Sequence, residues 1–85
     1  MTKVIRFTAS WCTPCKAYAP IFENVASSTP GIESQTVDID ANRPMAESFL
    51  VRSVPTTVVV EGGKTVYQKS GLIGESELRQ AVARH

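Results

Sequence analysis

The two cysteines of this chain stand three positions apart in Trp11-Cys12-Thr13-Pro14-Cys15-Lys16, just after a mainly apolar run from Val4 to Thr8. That placement fixes both sulfurs where a strand hands the chain to a helix. If the helix begins at Cys12, its first-turn N–H groups and the positive end of its dipole face the Cys12 sulfur and favour thiolate over thiol. Cys12 is then the better nucleophile. Cys15, about one turn along the same face, is close enough to attack a mixed disulfide formed at Cys12 and release the reduced target. The pair thus reads as a dithiol that moves two electrons.

Plainer readings stand beside it. A purely structural disulfide would close a loop of only four residues, worth roughly 2 kcal/mol in the chain-entropy model, against about 4.7 for a 100-residue loop. A zinc site would find two thiolates here where structural zinc takes four ligands. The single histidine is His85, so a second chain would have to complete it. The pair could also be inert.

Eighty-five residues make one small domain, taken as residues 1–85, able to fold alone around a limited core. Nine basic and eight acidic residues are scattered along the chain for a formal net charge of +1. This leaves no electrostatic footprint for nucleic acid or an anionic membrane, and proteins are the expected partners. Met1 to Phe7 lacks the long apolar stretch of a signal peptide, and nothing approaches a membrane span, so a cytoplasmic protein is expected. In a reducing compartment two cysteines at this spacing suit catalysis better than cross-linking.

The run Val4–Thr8 predicts a first strand, with Ala9-Ser10-Trp11 as the turn into a helix. Tyr18, Ile21, Phe22 and Val25 recur at three- and four-residue intervals, marking an amphipathic helix that ends near Ser28, with a bend expected at Pro20. Ile32 to Asp40 holds a second strand, and Asn42 is a good N-cap for a short helix through Met45, Phe49 and Leu50. The β-branched run Thr56–Val60 suits an interior strand, turned by Glu61-Gly62-Gly63-Lys64 into a hairpin with Thr65–Lys69. Gly74 caps a last helix with Glu75 and Glu77 in its first turn, Ile73 against Leu78 as a hydrophobic staple, and Arg84 and His85 at its end. The expected order is β-α-β-α-β-β-α.

With these elements in place the chain resembles the thioredoxin family. The likeness rests on Trp11-Cys12-x-Pro14-Cys15-Lys16, Ala19-Pro20, Asp38-Ile39-Asp40, Val54-Pro55-Thr56 and Gly71, in order and at near-family spacings over essentially the whole chain. The resemblance implies an α/β fold of minimal thioredoxin type, a four-stranded mixed sheet flanked by three helices. It implies a redox disulfide between Cys12 and Cys15. It also implies a cis Val54–Pro55 bond, Pro55 beside the cysteines and the Val54 backbone free to pair with an extended peptide. Trp11, Thr13, Pro14, Gly71 and Leu72 complete the expected shallow, apolar substrate surface.

The sequence departs from the family at three places. It starts at what would be the second strand of a full-length member. Arg6 stands where the family has a buried aspartate six residues before the first cysteine, with Thr36 in place of the lysine near it, and Thr13 stands where many members have glycine. Arginine stays protonated and cannot be a general base, but as a fixed cation it can stabilise a thiolate. The plainer reading is a solvated Arg6 at a thinned sheet face, paired with Asp38. Lys16, at the rim of the pair, is either a second tuning charge or a solvated helix residue.

The implied function is that of a monomeric protein-disulfide reductase with Cys12 as nucleophile and Cys15 as resolving thiol, needing no cofactor or metal. Thioredoxin reductase is the default electron donor. No histidine lies between the cysteines, which argues against a strongly oxidising variant. Two rivals are a non-enzymatic binding module on the same scaffold and a glutaredoxin-like electron donor, although glutaredoxin motifs usually lack the Trp-Cys-x-Pro-Cys-Lys string.

Overall fold

The computed structural model describes residues 1–83. Its elements are β1 (Thr2–Thr8), α1 (Thr13–Ser28), β2 (Ile32–Asp38), α2 (Arg43–Ser48), β3 (Thr56–Glu61), β4 (Lys64–Ser70) and α3 (Glu75–Ala83). The expected order holds. Arg84 and His85, expected at the end of α3, lie outside the described residues.

The sheet runs β2-β1-β3-β4. Strand β1 pairs parallel with β2 and antiparallel with β3, which in turn pairs antiparallel with β4. A parallel pair needs a crossover, and α1 supplies it. The two-residue turn Gly62-Gly63 has φ of 58° and 83°. Such left-handed backbone suits a tight hairpin and is open to glycine at no steric cost.

Alternation along β1 divides the core between the two faces of the sheet. Val4 packs with Val59 against Tyr18, Phe22 and Val25 of α1 and Leu78, Ala81 and Val82 of α3. Ile5 and Phe7 pack with Val37 and Val58 against Ala46, Met45 and Phe49 on the α2 side. Helices α1 and α3 therefore share one face, and α2 covers the other. Helix α1 runs unbroken across Pro20, whose missing N–H leaves the Lys16 carbonyl without its usual donor. The α2 segment is shorter than expected. Phe49 is its C-cap, and Leu50 adopts a left-handed φ of 56° while remaining exposed. Ile73 and Leu78 join the same cluster, as the staple requires.

One polar pair is sealed inside the α1 face. The Tyr18 hydroxyl and Thr57 Oγ1 share a hydrogen bond of 2.6 Å, and both residues are fully buried. Burial pushes the Tyr18 phenol above its ordinary range, so it stays protonated. Removing one member strands the other, whereas removing both leaves an apolar contact. Tyr18→Phe and Thr57→Val should each lower unfolding free energy by about 1–3 kcal/mol, and the double variant should lose no more than either single one. Urea denaturation of the four proteins checks this cycle.

Candidate functional site

The site begins where β1 ends. The Cys12 N–H donates to the Ala9 carbonyl at 3.1 Å, closing the turn through Ser10 and Trp11. Cys12 is the N-cap of α1, and its Sγ accepts the N–H of Cys15 at 3.2 Å. In this role sulfur does what a serine or aspartate oxygen does at other helix starts, satisfying a first-turn donor that lacks an intrahelical partner. Pro14 has no N–H to satisfy. The donors and dipole of α1 thus converge on the Cys12 sulfur, which favours charge there in the reduced state.

Cys12 and Cys15 are joined as a disulfide with Cα atoms 5.3 Å apart. Both are buried, Cys15 at 1% exposure and Cys12 at 4%. They sit with Ala9, and Ile39 and Val54 pack against them. The Val54–Pro55 peptide is cis. The Val54 carbonyl oxygen lies 3.6 Å from Cys12 Sγ, within reach of a thiol proton once the pair is reduced. The N–H of Gly71, at φ 95°, donates to the Pro55 carbonyl at 2.7 Å and holds the segment after β4 next to the proline.

The remaining expected site residues occupy the rim. Thr13, Pro14 and Lys16 are exposed on the first turn of α1, and Trp11 and Leu72 are large exposed apolar side chains. Trp11 is tethered, because its indole Nε1 donates to Asp40 Oδ2 at 2.9 Å. Asp40 and Ile39 escaped the sequence reading as site residues. The signal was present in Asp38-Ile39-Asp40, the end of β2 beside the end of β1, but only the parallel register brings it to the cysteines.

The solvated reading of Arg6 is overturned. Helix α1 covers that face of β1, leaving the residue 8% exposed with its guanidinium carbon 5.5 Å from the centroid of the Phe22 ring. Asp38 is not its partner either. Among the described residues Arg6 has no ion pair; its Nη2 donates to Thr36 Oγ1 at 3.3 Å, and its buried Nε–H has no acceptor. The Asp38 carboxylate instead accepts the N–H groups of Asp40 and Ala41. Arg6, Asp38, Lys16 and Cys15 line one open cleft of about 250 Å³ behind the disulfide. A larger depression of about 470 Å³, between Tyr67 and α3, is lined by neither cysteine.

A family model described as Thioredoxin matches residues 1–84. The chain belongs to the thioredoxin family. It is 35% identical over 82 residues to the thioredoxin of Chlamydia trachomatis, covering 96% of this chain and 80% of that one. The thioredoxin of Fasciola hepatica superimposes with a TM-score of 0.92 at 38% identity, covering 99% and 80% of the two chains. A mutant thioredoxin of Halobacterium salinarum does so with a TM-score of 0.92 at 31% identity, covering 98% and 73%.

This thioredoxin-family protein is a dithiol thiol-disulfide oxidoreductase, with its Cys12–Cys15 pair at disulfide distance. The family acts on disulfide-containing proteins and is recharged by thioredoxin reductase. Among the described residues no helix is long and apolar enough to cross a membrane. The Trp11 tether gives a local test. Asp40→Ala should loosen the indole, seen as lower Trp11 fluorescence anisotropy. The denaturant midpoint should move by less than about 1 kcal/mol equivalent, because the lost bond is exposed.

Proposed function

We propose that this chain is a reductase of protein disulfides, working in the cytoplasm as a monomer and as a single domain over residues 1–85. The Cys12 thiolate attacks one sulfur of a target disulfide, so that a Cys12–target bond forms, the target S–S bond breaks and the other target sulfur leaves as thiolate. Cys15 then attacks Cys12 Sγ. The Cys12–Cys15 bond forms, the Cys12–target bond breaks, and the target departs with both sulfurs reduced. Two electrons have passed from the pair to the target, and thioredoxin reductase restores the dithiol.

The observation that carries this reading is the position of Cys12 Sγ at the α1 N-cap, where it receives the Cys15 N–H and faces the Val54 carbonyl. A sulfur held there is stabilised as thiolate and is the more exposed of the two. The Val54 carbonyl beside Cys12 Sγ supports a docking wall at which the Val54 backbone pairs with an extended target, with Trp11, Thr13, Pro14, Gly71 and Leu72 around it. Lys16 sits at the rim as an exposed tuning charge.

Insulin-disulfide reduction driven by dithiothreitol, by a thioredoxin reductase or by glutathione tests activity and donor together. The expected result is turnover with dithiothreitol and the reductase, abolished in Cys12→Ser. Iodoacetamide should label reduced Cys12 at least about tenfold faster than Cys15. Cys15→Ser should trap targets as mixed disulfides, and Cys12→Ser should not. Faster labelling of Cys15 would reverse the two roles, and turnover with glutathione alone would favour the glutaredoxin-like reading.

A further inference from the structure

Among the described residues the reaction leaves one buried charge unused. The Arg6 guanidinium lies under α1 with a single hydrogen bond to a neutral hydroxyl, a buried Nε–H without acceptor and no ion pair among the described residues. Burying a cation is costly unless an anion or a set of hydrogen bonds compensates. Asp38, the anion lining the same cleft, forms no ion pair with Arg6 and gives its Oδ1 to backbone N–H groups instead. The cleft that Arg6 lines has Cys15 in its wall, and reduction of the disulfide leaves a thiol there that becomes negative when it loses its proton.

We propose that Arg6 is the counter-charge of the Cys15 thiolate, a positioning residue that makes the resolving sulfur available without an internal base. The proposal rests on the reading of Cys15 as the resolving thiol. In the mixed disulfide the Cys15 S–H loses its proton to solvent reaching the cleft, not to Arg6. The thiolate then forms the Cys12–Cys15 bond as the Cys12–target bond breaks, and the departing target thiolate takes up a proton.

The other charges around Cys15 do not replace Arg6. Lys16, on the same helix, is exposed, and solvent and salt screen it. Asp38, from β2, lines the cleft and opposes a thiolate, while its Oδ1 is held by backbone N–H groups. From β3 comes Thr57, uncharged, bonded to a Tyr18 that burial keeps protonated. Glu77 of α3 is paired with Lys69 at 3.0 Å. Among the described residues Arg6 alone is both cationic and buried, so its field on the cleft is the least attenuated.

Stabilising the thiolate stabilises the reduced form. Arg6 therefore raises the reduction potential and makes the chain a milder reductant than its neutral variants. The decisive measurement titrates Cys15 by its ultraviolet thiolate absorbance in Cys12→Ser, which needs no target and so fails or succeeds apart from the insulin assay. With Arg6 present, the Cys15 pKa should fall below the ordinary thiol value of about 8.5, although burial alone would raise it. Arg6→Lys should keep the low value, and Arg6→Gln and Arg6→Met should raise it by about one unit.

With Cys12 restored, the Arg6→Gln protein equilibrated against glutathione should favour its disulfide. Above both thiol pKa values the shift should reach about tenfold, equivalent to about 30 mV, and it should close as the pH falls below them. A merely structural role would not give that pH-dependent convergence. A folded Arg6→Gln protein with unchanged Cys15 pKa would overturn the proposal. If neither neutral variant folds, the titration with Arg6 present decides alone, and a Cys15 pKa at or above the ordinary thiol value overturns it.

Discussion

Everything in this molecule depends on β1 being occupied on all four sides. Its edges are hydrogen-bonded to β2 and β3 along nearly its whole length, and its faces are covered by α1 with α3 and by α2. A strand held in this way cannot slip by a residue without exchanging Ile5 and Phe7 with Val4 and Arg6, which would bring the cation into the α2 core. The register that secures the core also fixes where β1 stops. Cys12 follows four residues after Thr8, so the position of the sulfur is a consequence of strand pairing.

Much of the fold is legible in the sequence because its signals are local. The three- and four-residue spacing of Tyr18, Phe22 and Val25 requires a helix, the β-branched run before Gly62-Gly63 requires a strand and a turn, and Cys-x-x-Cys at the junction announces its chemistry. What stayed hidden is set by register and by packing between elements. Arg6 reads as a surface charge until α1 closes over it and Phe22 meets its guanidinium. Tyr18 reads as one more core position, and its hydroxyl acquires a meaning only when β3 brings Thr57 beneath it. Asp40 is a strand-end acid until the parallel pairing of β1 and β2 carries it to Trp11.

The polar groups buried beneath α1 divide into two kinds. Tyr18 and Thr57 satisfy each other and fix how the helix sits on the sheet. Arg6 is only partly satisfied, and its Nε–H remains a donor without an acceptor. In small domains such groups are costly, and they are found where a reaction changes the charge nearby. The contrast between the two sets marks the boundary between what holds this molecule together and what is proposed to adjust its chemistry.

The cross-link between Cys12 and Cys15 spans a sequence separation of three. A loop that short removes less freedom from an unfolded chain than a long one, roughly 2 kcal/mol, so oxidation alters the denatured ensemble only locally. Folding and electron transfer then form a closed thermodynamic cycle in which one corner is almost featureless. Any difference in stability between the oxidised and reduced proteins measures how far the folded site has moved the dithiol from the behaviour of a plain Cys-x-x-Cys peptide. For this chain, two denaturation curves give the potential of the folded site relative to that of the unfolded dithiol.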